Sequence, residues 1–299
     1  MRFADPKNDL AFKKIFGNEQ HKNILISFLN SVLDFQGKRE IVSVNLVNPY
    51  QVPKIPELKE TILDIEATNK NNETFIVEMQ KKDLGDFTKR SLYYTSKAYV
   101  AQLPKGQDYT RLKKVYFIGI LNFNIFENKN YISRHLIINQ ETKTQDLTDF
   151  EFSFIELPKF TKELEELESI LDKWIYFLKY ANNLSLIPEE YKNIEEFQEA
   201  FTIATQTNWN KEELKVYEYM AIKEFDEINA LRTAERKGIE KGIEKGIEKG
   251  IEKGIEKGKI ELVKNLLDIL DDETIAQKSG LSIQVVQALR EERGKKWSN

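Results

Sequence analysis

Asp64, Glu66, Glu78 and Gln80 lie within the most strand-like stretch of the chain, ILDIEATNKNNETFIVEMQKK, which runs from Ile62 to Lys82 and reads as a β-hairpin turning at NKNNE. Side chains alternate along a strand, so Asp64 and Glu66 share one face of the first arm while Glu78 and Gln80 share one face of the second. A turn that pairs Thr68 with Thr74 sets Asp64 opposite Glu78, with Glu66 beside them. Carboxylates facing each other across a ladder repel, and the arrangement asks for a cation between them. An acidic, solvent-facing sheet surface is the plain alternative, but the apolar richness of both arms predicts a sheet covered on both sides. Two carboxylates with water completing the shell suit Mg2+, with Mn2+ able to substitute, and leave room for a phosphate. Such an ion acidifies water and offsets charge developing on a phosphodiester. The chemistry expected of this pair is metal-assisted hydrolysis of a nucleic-acid backbone.

The elements that position the pair are legible on either side. Before it, NDLAFKKIFGNEQHKNILISFLNSVL has apolar residues at helical spacing and predicts two helices broken near Gly17, with Asn8 or Asp9 as the first N-cap. REIVSVNLVNPY alternates as a strand, and Pro53 and Pro56 make QVPKIPELKE a loop. After it, DFTKRSLYYTSKAYVAQL predicts a helix that carries Arg90, Tyr94 and Lys97 on one stripe. KKVYFIGILNFNIF reads as a buried strand, with shorter strands in RHLIINQ and FSFIEL. Two helices, a sheet and one interrupting helix make an α/β domain of mixed sheet ending near Phe160.

The rest of the chain is helical in texture. Residues 161–234 predict an all-α region, with segments KELEELESILDKWIYFLKYANN, IEEFQEAFTIATQ and KEELKVYEYMAIKEFDEINALRTAERK. Residues 235–260 hold a four-residue repeat, GIEK, running from Lys237 to Gly258. Glycine at every fourth position costs about 1 kcal/mol per turn against alanine, so the repeat is a weak helix in isolation. It reads either as a solvated spacer or as a glycine-faced helix for self-association. Residues 261–299 contain a helix-turn-helix pattern: Ala276 in the first helix, Gly280 in the turn, Ser282 capping the second, and Ile275, Leu281, Val286 and Leu289 as its core. Its second helix offers Gln284, Gln287 and Arg290 beside Glu291 and Glu292, so a packing hairpin competes with a DNA reader.

Composition narrows the field. The 299 residues include no cysteine and two histidines, His21 and His135, which excludes thiolate zinc and a cysteine nucleophile and leaves oxygen as the metal donor. The net charge of -4 argues against a uniformly basic nucleic-acid coat. No apolar run approaches the ~18 residues of a membrane span, and no signal-peptide core opens the chain, so a soluble cytoplasmic protein is expected.

Four blocks in order, DLAFKKIFG, ILDIEATNKNNETFIVEMQ, RSLYYTSKAY and FIELPKF, resemble the Rpn family of recombination-promoting nucleases and putative transposases within the PD-(D/E)XK nuclease superfamily. The likeness covers roughly the first half of the chain, and a glycine-and-charge repeat is also typical of that family. It implies a restriction-endonuclease-like mixed sheet flanked by helices in residues 1–160, and a Mg2+-dependent DNA endonuclease linked to recombination or mobile elements. Asp64 and Glu78 then become the metal ligands, with the Met79 carbonyl as a third and Asp9, otherwise a helix cap, as an assisting acid. Gln80 takes the place of the usual lysine and orients the attacking water without bringing charge. Lys82, two residues on along the same strand face, either supplies that charge or is a solvated strand end. Arg90 and Tyr94, ahead of Lys97, are placed to hold the scissile phosphate. A catalytically idle binding module and a structural oligomer built on the GIEK helix are the competing expectations.

Overall fold

A computed structural model describes residues 2–48, 50, 64–83 and 85–296, so the proline loop QVPKIPELKE and the Ile62–Leu63 start of the hairpin lie outside the described residues. The N-terminal helices are α1 (Asp9–Phe16) and α2 (Lys22–Leu33). Asn8, not Asp9, caps α1: its side chain accepts from the backbone N–H groups of Leu10 and Ala11. Phe12, Ile15 and Phe16 anchor α1 in the core, and the helix ends at Gly17 as its sequence predicts.

The sheet is six-stranded and mixed. Its strands are β1 (Val44–Leu46), β2 (Ile65–Asn69), β3 (Thr74–Gln80), β4 (Val115–Leu121), β5 (Ile132–Leu136) and β6 (Phe150–Glu156), in the order β1-β2-β3-β4-β6-β5. β1, β2 and β3 form an antiparallel run, β3 to β4 and β4 to β6 are parallel, and β5 closes the edge antiparallel to β6. β5 starts and stops earlier than the apolar run RHLIINQ suggests. The early stop is due to Asn139, whose side chain accepts from the backbone N–H of Glu141 and of Thr142 and folds the chain into a turn.

Both faces of the central strands are covered, as their near-continuous apolar sequences require. One face of β3 sends Phe75, Val77 and Met79 into the main core with Tyr116, Ile118 and Ile120 of β4. The other sends Ile76 into a smaller core with Phe117, Phe152, Phe154 and Phe87, the first residue of α3 (Phe87–Ala101). Gly119 of β4 pairs with Glu78 and lies beneath the Phe87 ring, where an added Cβ meets Phe87 Cε1 at 2.9 Å and Phe154 Cδ1 at 3.0 Å. Gly119→Ala is therefore expected to destabilise the fold by about 1–3 kcal/mol through overpacking, read by urea denaturation. An unchanged midpoint would mean that the rings move aside freely.

Residues 164–204 share the main core with α1 and α2. α4 (Ile170–Tyr180) begins later than its charged lead-in suggests, because Ser169 and Asp172 form a capping box there and residues 164–166 make only a 3-10 turn. Trp174, Ile175, Phe177 and Leu178 of α4 are buried with Phe197 and Phe201 of α5 (Glu195–Ala204). α6 (Lys211–Leu266) carries the whole GIEK repeat as helix.

The chain divides into two compact units, Met1–Lys223 and Glu224–Asn299. In the second, Val263 and Leu267 pack with Ile275 of α7 (Asp272–Ser279) and Val286 of α8 (Ile283–Lys296), around a left-handed turn at Gly280. Arg290 of α8 bonds Asp272 at 2.7 Å and donates to the carbonyls of Leu267 and Leu270. Those bonds tie the helix-turn-helix together and take up a cation that the sequence left available to DNA.

Candidate active site

The hairpin holds the register that its sequence dictates, with Thr68 opposite Thr74 and Ile65 opposite Val77, so Asp64 just before β2 comes level with Glu78. Its turn is shaped by Asn69, whose side chain accepts from the N–H of Asn71 at 2.9 Å and of Glu73 at 3.0 Å, and by Asn72 at φ 60. Asparagine adopts that left-handed conformation at low cost. At the open end, the Met79 N–H donates to Asp64 Oδ2 at 2.8 Å and locks the two acids together. Both are buried, Asp64 at 8% exposure and Glu78 at 4%, which removes the reading of an acidic solvent-facing sheet.

Two buried carboxylates are costly, and each is only partly compensated. Asp64 Oδ1 lies 3.6 Å from the ammonium of Lys13. Glu78 Oε1 accepts from Arg90 Nη2 at 2.7 Å and from Gln80 Nε2 at 3.0 Å. Glu78 Oε2 is buried without a hydrogen-bond partner. Burial pushes the Asp64 carboxyl up to about 7, the negative charge of Asp9 adds to the rise, and Lys13 and the Met79 N–H oppose it. Burial also raises Glu78, chiefly against the pull of Arg90, and Asp9 again adds to the rise.

α1 thus brings an acid and a base to the pair from one helix face, Asp9 and Lys13 being one turn apart. Of the predicted residues, Gln80 and Arg90 bond Glu78, Asp64 is tied to the backbone N–H of the next residue, Met79, and Asp9 acts on the two acids through its charge. Glu66 sits opposite Ile76, half-buried, its carboxyl raised by burial. Tyr94 is half-buried, with the Arg90 guanidinium 5.9 Å from its ring centre, whereas Lys97 is exposed. Lys82 lies beyond the end of β3 and is half-buried. Lys13 is the contact that sequence reading missed. Its signal was the four-residue spacing from Asp9 on the face that α1 turns toward the acids.

Among the described residues, no group of three or more Asp, Glu or His side chains is drawn together tightly enough to hold a metal ion by itself. The fit of a divalent cation rests on a different observation. An oxygen-only donor pair, one member raised toward neutrality and the other holding an orphaned oxygen, is a site whose electrostatics a hard dication would complete. The bonds from Gln80 and Arg90 hold the Glu78 carboxylate by Oε1 and leave Oε2 as the oxygen that would meet such an ion.

A sequence model of a family described as PD-(D/E)XK nuclease family transposase matches residues 6–234. That span includes every residue of the site. No curated protein and no solved structure matches the chain.

Proposed function

The chain belongs to the PD-(D/E)XK nuclease transposase family, and from that premise we propose that it is an endonuclease that hydrolyses DNA phosphodiester bonds with a Mg2+ or Mn2+ ion held by Asp64 and Glu78. The observation that carries this reading is the buried, unpartnered Oε2 of Glu78 beside an Asp64 whose carboxyl is raised to about 7. A polar atom left so at 4% exposure is costly unless something binds it.

When bound, the ion supplies a Lewis acid at the scissile phosphate. Asp64 and Glu78 hold it, with the Met79 carbonyl as a third oxygen and Asp9 assisting from α1. Gln80, fixed by its bond to Glu78, orients water for attack. Arg90 sits on the rim of the site, its side chain 28% exposed and bonded to Glu78, and its remaining N–H groups suit a phosphate arriving beside that carboxylate. Tyr94 stands next to it and Lys82 lies along the same strand direction, extending the phosphate contact. The word transposase in the family's description supports a role in recombination or mobile-element activity, and the cytoplasm, where DNA is at hand, is the location proposed with it. No helix among the described residues is long and apolar enough to cross a membrane.

The test is nicking of supercoiled plasmid by the purified protein in Mg2+, in Mn2+ and in chelator. Nicking that appears only with metal supports the reading. Equal cutting in chelator, or none in any metal, contradicts it.

A second copy of the chain is proposed as the partner of the GIEK helix. Ile239, Ile243, Ile247, Ile251 and Ile255 are 56–59% exposed, and nothing lies within 4 Å of where a Cβ would stand on the repeat glycines. Like charges recur at i, i+4 along the repeat, which weakens a lone helix. The Glu column of one copy complements the Lys column of another and covers the isoleucines, as in helix pairing. Deleting residues 238–258 is expected to convert the full-length oligomer into monomer in sedimentation velocity, and a parent that is already monomeric would contradict the pairing.

A further inference from the structure

The strand position that follows Glu78 by two residues carries an amide, Gln80, which is neutral. Hydrolysis of a phosphodiester places extra negative charge on the phosphoryl oxygens, and preorganised positive charge there is worth a large part of the barrier. The structure contains a cation suited to that task in another element.

Lys13 reaches the site from α1, with its Nζ 3.6 Å from Asp64 Oδ1. Its charge also stabilises the ionised form of Glu78, so it acts on both acids. The side chain is 32% exposed, buried enough to be held and open enough to meet a substrate. Its backbone is fixed by the buried neighbours Phe12, Ile15 and Phe16 and by the Asn8 cap. Of the other nearby cations, Lys14 pairs with Glu213 and Lys81 with Asp5 at 3.2 Å, Arg90 is bonded to Glu78 on the rim of the site, and Lys82 lies beyond the end of β3.

We propose that Lys13 is the catalytic cation of this site, taking from helix α1 the role that Gln80 leaves unfilled on the strand. The inference rests on the endonuclease reading above. With Asp64 turned to a divalent ion, the ammonium is free to contact the attacking water and a non-bridging phosphate oxygen. Lys13 forms no covalent bond. The water oxygen adds to phosphorus as the bridging P–O bond breaks, the water's proton passes to solvent, the leaving oxygen is protonated from solvent, and the ammonium keeps its protons throughout.

The experiment compares plasmid nicking by the parent, Lys13→Ala, Lys13→Arg and the exchange variant Lys13→Ala/Gln80→Lys, beside Mn2+ binding to each by calorimetry. Lys13→Ala is expected to lower kcat about 10²-fold or more with KM for DNA little changed, the size of loss seen when one transition-state donor is removed. It should bind Mn2+ as tightly as the parent or more tightly, because a competing positive charge beside Asp64 has gone. Lys13→Arg should keep most of the activity, and the exchange variant should regain much of what Lys13→Ala loses. Since Mn2+ binding reports a folded site, a dead variant that still binds the ion has lost chemistry and not structure.

Lys13→Ala cutting as fast as the parent overturns the role while leaving the nuclease reading in place. Loss of Mn2+ binding together with cutting in Lys13→Ala, unrestored in the exchange variant, overturns it in favour of a structural role. A parent that cuts no DNA in any metal removes the nuclease reading and this role together.

Discussion

Asp64→Asn slows metal-dependent DNA cleavage by about 10³-fold or more, since losing a charged metal ligand forfeits several kcal/mol of transition-state stabilisation at about 1.4 kcal/mol per factor of ten. Asparagine is the informative replacement because its Oδ1 still accepts the Met79 N–H that Asp64 Oδ2 accepts at 2.8 Å, so the hairpin keeps its register. What goes is the charge. Glu78→Gln is expected to lose a comparable amount, and the double variant little more than either single one, because ligands of one ion act as a unit. Initial rates of plasmid nicking, with circular dichroism to confirm the fold, check both statements. Asp64→Asn cutting at the parent's rate would remove this carboxylate from the chemistry.

The second large effect is on stability and has the sign opposite to that of most buried-acid replacements. The Asp64 carboxyl rises from an ordinary 3.8 to about 7 in the folded chain, through burial first and the charge of Asp9 next. Between those values the folded protein keeps a proton that the unfolded chain has released. Raising the pH across that window therefore weakens the fold, and the loss is complete above about 7. Asp64→Asn escapes the penalty. Without metal at pH 8 it is expected to be more stable than the parent by on the order of 2–4 kcal/mol, an advantage that shrinks toward pH 4. Saturating Mn2+ should stabilise the parent and not the variant, by about 2.7 kcal/mol at a hundredfold excess over Kd. Urea unfolding at the two pH values, with and without Mn2+, measures all three. A variant less stable than the parent at pH 8 in chelator would show that the folded protein favours the charged form of Asp64.

Much of this site was written in the sequence because strand alternation is rigid. Once Thr68 and Thr74 were paired across NKNNE, the meeting of Asp64 and Glu78 followed from parity alone, and the structure has that pairing. The mixed sheet was readable for the same reason: the fully buried strands β3 and β4 are nearly unbroken apolar runs. What escaped was contact between elements distant in the chain. Lys13 looks like any surface lysine of an amphipathic helix, and only the packing of Phe12 and Phe16 turns it toward Asp64. The turn at Asn139 was decided by side chain to backbone bonds that compete locally with the strand, and bonds of the same kind chose Asn8 over Asp9, the two caps that the sequence offered. Arg290 shows the converse, a residue that sequence offers to a partner and that the fold spends on its own carbonyls.

The central claim is that Asp64 and Glu78 together hold one divalent cation, and it is tested most directly by titrating Mn2+ into metal-stripped protein at pH 7.5 by calorimetry. The parent and the Asp64→Asn/Glu78→Gln double variant are compared in the same buffer, with no DNA present. The account predicts a saturable site in the parent that is lost in the double variant. The same Mn2+ isotherm from both proteins would contradict it.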